Sequence, residues 1–211
     1  MNIIELHQDL INSKNIHQFS IITGEYLHEI MRTYYIPSVA SPTPPTSVKT
    51  DNESLYSYPY NKPFTLIHVQ EYIEWIVNKM DLELVLIIPA IVYIDDFLIT
   101  SNLEIYDNNW LPIFVTGLLL SQKMYDDIHY DNCEFAKILP SDVQNQSYDN
   151  ALKTINTWEK HFLTTIQYRL VLIDTFDIKK YCKELLDNTQ DNKILIINNY
   201  LSTLCQTYLF N

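Results

Sequence analysis

The chain has 211 residues and a formal net charge of −12, from 14 basic and 26 acidic side chains. That length suits one large domain or one domain with sizeable extensions. The charge argues against a phosphate-tracking nucleic-acid binder, which needs a basic face. Gly24 and Gly117 are the only glycines, so every glycine-rich phosphate cradle is excluded. Nine prolines with so little glycine also disfavour a barrel or sandwich, whose tight turns need residues at positive φ. An apolar fraction of 47% is enough for a true core.

Cys133, Cys182 and Cys205 are odd in number and widely spaced, as expected of a reduced intracellular protein. The opening run Met-Asn-Ile-Ile-Glu-Leu-His lacks the basic-then-apolar layout of a signal peptide, and Asn2 excludes N-myristoylation. Leu84 to Ile94 is the longest apolar stretch and is too short to span a bilayer. No membrane insertion is expected, and the location expected is the cytoplasm, the nucleus or both.

In chain order, residues 3–11 and 14–33 are expected to be helical, with Leu27, Ile30 and Met31 at helical spacing. Gly24 weakens the second of these. Four prolines between Pro37 and Pro45 then forbid a helix. The segment to about Asn61, with Tyr56, Tyr58 and Tyr60, reads as a loop or extended wrap. Residues 1–61 thus form an N-terminal helical extension with a Pro/Ser/Thr-rich linker, where Ser41-Pro42 and Thr43-Pro44 fit proline-directed phosphorylation.

From Thr65 the pattern turns strongly helical. Leu66, Val69, Ile73, Ile76 and Val77 stripe a helix ending near Met80. A second apolar run covers Leu82 to Leu98, and Pro89 inside it is expected to kink it. The next helix starts with Asp107 or Asn108 as N-cap and ends at Lys123. Pro112 lies in its first turn, where proline is tolerated. A short helix follows at Asn132–Ile138 and a longer one at about Tyr148–Gln167. Two more are expected at 175–187 and 192–209.

The helix ending at Lys123 is apolar nearly all round, so other helices must enclose it. Its small residues Thr116, Gly117 and Ser121 let neighbours come close. The expected fold is all-α: a central helix surrounded by four others, with extra N- and C-terminal helices.

Two charges stand out. On a wheel of about 100° per residue, Ile155, Leu152, Leu163, Ile166 and Phe162 all fall within about 60° of Glu159. That places the carboxylate mid-stripe on an apolar face, where it is costly unless paired or used. Lys123 is the first cation after a long apolar helix and sits at its C-terminal end, where the dipole favours it. Read from residues alone, Lys123 is either an ordinary C-terminal cation or a contact. Glu159 is either half of an internal ion pair or a contact.

The weaker signals have bland readings. Glu25-x-x-His28 occurs in one copy, where a di-iron bundle needs two. Asp126, Asp127, His129 and Asp131 lack an ion-binding loop pattern and its glycine, so a solvated loop is expected. No metal and no cofactor are expected. Trp75, Trp110 and Trp158 are each expected in the core.

The run Leu118-Leu-Leu-Ser-Gln-Lys-Met-Tyr-Asp-Asp-Ile-His-Tyr-Asp-Asn-Cys-Glu-Phe-Ala-Lys-Ile138 resembles the third and fourth helices of the cyclin box. Val92-Tyr-Ile-Asp-Asp-Phe-Leu98 resembles the Tyr-Ile-Asp-Arg-Phe-Leu segment of its second helix. Trp158-Glu159 through Leu170 resembles the fifth helix and its exit, and Phe176 to Tyr181-Cys182 the usual sequel. The likeness covers roughly 62–187, in order, and is nearest to the single-box group of yeast phosphate-signalling cyclins and cyclin Y. It implies a cyclin box at 62–187, with 188–211 left for one C-terminal helix.

The resemblance also implies a non-enzymatic regulatory subunit that binds and activates a cyclin-dependent kinase. Lys123 and Glu159 would anchor that kinase. Met124, Leu163, Tyr168 and Leu170 would line the kinase-facing patch, although core packing accounts equally well for Leu163 and Leu170. The alternatives are a cyclin-fold scaffold or transcription-type adaptor without a kinase, and a helical metalloenzyme. The family's Met-Arg-Ala-Ile-Leu patch is replaced by Phe64-Thr-Leu-Ile-His-Val-Gln-Glu-Tyr-Ile-Glu-Trp75, which holds no Arg. Asp95 thus lacks its family partner, Asp96 stands where Arg is common, and His68 is a candidate to pair with one of them.

Overall fold

The computed structural model describes residues 13–35, 55–56, 63–126, 130–139 and 148–170. The expected helices at 3–11, 175–187 and 192–209, the Pro-rich stretch with its Ser-Pro and Thr-Pro sites, and Phe176 to Cys182 all lie outside them. Six helices are described: α1 (Ser13–Arg32), α2 (Leu66–Met80), α3 (Ile87–Ser101), α4 (Trp110–Tyr125), α5 (Asn132–Ile138) and α6 (Tyr148–Thr165). Among the described residues the only β-type pairing is the isolated bridge between Tyr35 and Ile105. The fold is all-α, as the periodicity requires.

The apolar circumference of α4 organises the rest. Every residue from Trp110 to Gln122 is buried. α3, α5 and α6 pack against it, and Tyr72 of α2 meets it with edge-on contacts to Trp110 and Phe114. α1 lies outside this ring, across α2 and α3.

Both glycines sit inside helices at close crossings. A Cβ on Gly117 would stand 2.7 Å from Ile94 Cγ1 and 3.1 Å from the Ala90 carbonyl oxygen. A Cβ on Gly24 would stand 2.6 Å from Gln70 Cγ. Cβ contacts under 3.0 Å essentially never occur, so each glycine lets two helix axes approach. Gly24 therefore serves packing, which the low helix propensity of glycine conceals. The helices end instead on Asp81 (φ 51°) and Asn102 (φ 50°), which take the left-handed conformation usually given to glycine.

Three expectations change here. Pro89 does not kink a long helix. Leu84–Leu86 form a separate 3₁₀ turn and α3 begins at Ile87, so Pro89 falls in its first turn. An N–H has no helical partner there, and proline removes nothing. Asn109 precedes α4, in place of Asp107 or Asn108. Asp107 is used elsewhere, accepting from the Phe64 N–H (2.8 Å) and the Tyr35 hydroxyl (2.9 Å), and so ties the end of α1 to the approach to α2. Trp110 and Trp158 are core residues, but Trp75 is 41% exposed. It projects from α2 away from the stripe Val69, Tyr72, Ile73, Ile76, Val77 and Met80.

Gly117→Ala is expected to lower unfolding stability by about 1–3 kcal/mol, the usual range for overpacking. The nearest atoms include a backbone carbonyl that cannot step aside. Urea denaturation followed by circular dichroism measures the loss.

Candidate functional site

The burial of α4 ends abruptly at Lys123. After thirteen buried positions the last turn emerges from the ring, with Lys123 half-buried and Met124 40% exposed. α6 runs alongside it. Its buried face is Ala151, Ile155, Trp158 and Phe162. With Trp158 included, the centre of that face lies about 70° from Glu159 on a 100°-per-residue wheel. Glu159 therefore lies at the margin of the apolar face, and the mid-stripe expectation is corrected.

The two margins meet. Lys123 Nζ donates to Glu159 Oε1 at 2.6 Å and to Asn132 Oδ1 at 2.6 Å. Asn132 Nδ2 donates to Glu159 Oε2 and to Asn156 Oδ1, both at 2.6 Å. Three helices thus supply one polar junction: Lys123 from α4, Asn132 from the first residue of α5, and Asn156 and Glu159 from α6. The side chains of Lys123 and Glu159 keep 28% and 17% of their surface accessible. An ammonium has three donors and a carboxylate about four acceptor sites. The network uses two of the donors and two of the acceptor sites, so capacity remains on the open side.

The sequence missed Asn132 and Asn156 as members of this junction. Asn156 is three residues before Glu159, a helical neighbour spacing, but that signal alone is common. Asn132 follows the acidic loop, and only the tertiary arrangement brings it to Lys123.

The other patch candidates are distributed along the end of α6. Leu163, one turn beyond Glu159, is half-buried against the core, as is Leu170. Tyr168 is 64% exposed. Its N–H returns to the Leu163 carbonyl at 2.8 Å, while the Leu170 carbonyl accepts from the Tyr93 hydroxyl at 2.8 Å. Lys123 and Glu159 are in direct contact, and Leu163 and Tyr168 are joined through the backbone.

The opposite flank of α6 is held by Leu55 and Tyr56. Trp158 Nε1 donates to the Leu55 carbonyl at 2.9 Å. The fully buried Tyr56 donates its hydroxyl to the Trp158 carbonyl at 3.2 Å. The hydroxyl has one proton, so the 3.2 Å contact with His161 Nδ1 requires that nitrogen to carry a proton and donate. Phe97 stacks on Phe162 at 4.2 Å below them. Burial pushes the Tyr56 phenol far above its ordinary value and holds the His161 imidazole below the usual histidine range.

Of the secondary signals, His68 does not pair with Asp95 or Asp96. Its Nδ1 contacts the Pro63 carbonyl at 2.9 Å, because Thr65 caps α2 and turns the chain back there. Asp96 pairs with Arg169 at 3.0 Å. His28 stacks on Phe64 at 4.8 Å. Among the described residues no group of three His, Cys, Asp or Glu side chains is placed to hold a metal ion. Asp127 and His129 lie outside those residues. No helix among them is long and apolar enough to cross a membrane.

The described residues form an all-α box in which one helix is enclosed by its neighbours and emerges at one end beside a lysine–glutamate junction. The family model for Cyclin matches residues 28–170, more than half of the chain. The chain belongs to the cyclin family and carries a single cyclin box. It is therefore a cyclin-type regulator, from a family of regulatory subunits. No solved structure matches the chain.

Acid should weaken the fold through its histidines. His161 is held low by burial; His28 is held low by burial and then by Arg32. Both bind protons more weakly folded than unfolded, so stability is full above the ordinary histidine range. It declines as pH falls through that range toward the lower folded values. His161→Gln is expected to flatten part of the decline, measured as urea midpoints between pH 8 and pH 5.

Proposed function

We propose that this chain binds a cyclin-dependent protein kinase through the α4–α6 end and holds it in an active conformation, without catalysing a reaction itself. The observation that carries this reading is the Lys123–Glu159 contact at 2.6 Å, braced by Asn132 and still open on one side. A braced pair of opposite charges offers a donor and an acceptor in fixed positions. It is thus suited to the backbone of a partner segment, which presents both groups. Its surroundings supply the apolar contact that such an interface needs: Met124 and Tyr168 exposed, Leu163 and Leu170 half-buried.

The net charge of −12 supports a protein partner over a nucleic acid, since phosphates would be repelled. The corresponding location is the cytoplasm or the nucleus. The test of a cyclin-fold scaffold without a kinase is the same experiment with the opposite result.

Glu159→Lys places two cations in contact and removes the acceptor. Disrupting one partner of a hydrogen-bonded interface pair costs about 2 kcal/mol or more, or about thirtyfold in affinity. Affinity for a recombinant cyclin-dependent kinase that binds the native chain should fall by at least that factor, with the helical circular dichroism retained. The milder Glu159→Gln should lose less. Unchanged binding and kinase activation in both variants rule out this interface.

A further inference from the structure

We propose that Asp96 and Arg169 form a latch that presents the Tyr168 ring to the kinase, making them positioning residues for the interface; this rests on the functional reading above. α6 ends with the Gln167 N–H on the Thr164 carbonyl (3.1 Å) and the Tyr168 N–H on the Leu163 carbonyl (2.8 Å). This is a Schellman pattern, which normally places glycine at the first left-handed position. Here two consecutive residues with side chains are left-handed, Gln167 at φ 55° and Tyr168 at φ 57°. A Cβ makes that conformation unfavourable, and it persists only where surrounding contacts over-determine it.

Those contacts come from both sides of Tyr168. Arg169 Nε donates to the Ile166 carbonyl at 3.0 Å. Arg169 Nη2 donates to Asp96 Oδ1 at 3.0 Å and to Thr100 Oγ1 at 3.4 Å, one helical turn apart on α3. Tyr93, also on α3, donates its hydroxyl to the Leu170 carbonyl at 2.8 Å. α3 therefore grips the chain at 169 and 170, and through Arg169 at 166. Between these points Tyr168 is left 64% exposed. A helix stop alone would be better served by glycine at 167 and gains nothing from an outward aromatic at 168. An exposed tyrosine on a backbone held from both sides has the properties of an interface anchor, because that backbone is ordered before the partner arrives.

The test uses the full chain and a panel of recombinant cyclin-dependent kinases. Asp96→Asn and Arg169→Gln should each speed hydrogen exchange at the Tyr168 amide and weaken kinase binding by about two- to fivefold, the scale of a partly exposed ion pair. The swap Asp96→Arg with Arg169→Asp should recover part of both, because it restores the ion pair but not the side-chain bond to the Ile166 carbonyl. Tyr168→Ala should weaken binding as well, and adding Asp96→Asn to it should cost no further affinity, since the latch then has nothing to present. Additive losses, or affinity and exchange unchanged in the single variants, overturn the latch. If Tyr168→Ala weakens binding while the latch variants do not, the latch alone fails. If no kinase of the panel binds the native chain, the functional reading fails and the latch's role with it. If binding occurs but resists both Glu159→Lys and Tyr168→Ala, the interface assignment fails and the latch proposal falls with it.

Discussion

The enclosure of α4 is the constraint on which the remaining architecture depends. A helix with thirteen consecutive buried residues has no face to offer water, so it must be surrounded, and its neighbours must come close. Gly117 permits the α3 crossing. The Ser121 hydroxyl, itself fully buried, is satisfied by the Leu86 carbonyl at 2.6 Å, just ahead of α3. The Thr116 hydroxyl returns to the Pro112 carbonyl in its own helix at 2.7 Å. Both of these buried hydroxyls are thus bonded, which lowers the cost of burying them. The same geometry makes α4 accessible only in its last turn.

The junction at that end is polar on one side and apolar on the other. Lys123, Asn132, Asn156 and Glu159 tie α4, α5 and α6 together, and the ion pair is partly shielded from water. Removing one member leaves the others under-satisfied, so the group acts as a unit. α6 is also held from the opposite flank by Leu55 and Tyr56, which bond to Trp158 and His161. One helix is clamped between the linker and the candidate interface. Burial beside the Tyr56 contact holds the His161 imidazole below the usual histidine range.

The scarcity of glycine shapes the chain in a second way. With both glycines committed to helix crossings, helix ends fall to Asp81, Asn102 and Gln167. Short polar side chains tolerate the left-handed region moderately well, and Asp81 and Asn102 fit that pattern. Gln167 and Tyr168 do not. Their conformation depends on α3, which couples the exit of α6 to a distant part of the sequence.

Among the described residues, the order of the helices, their spans within two or three residues apart from the start of α3, the enclosure of α4 and the prominence of Lys123 and Glu159 were legible in the amino-acid pattern. Hydrophobic periodicity and helix-end chemistry are local properties, and they survive being read one segment at a time. Tertiary structure alone decided that the two charges touch, that Asn132 completes their network, that Asp96 answers Arg169 across 73 positions, and that Trp75 faces outward. It also set the start of α3, which made Pro89 harmless, and diverted Asp107 from capping to the Phe64 N–H and the Tyr35 hydroxyl. In each case the outcome depended on which distant group arrived at the same place, and a one-dimensional pattern holds no term for that distance.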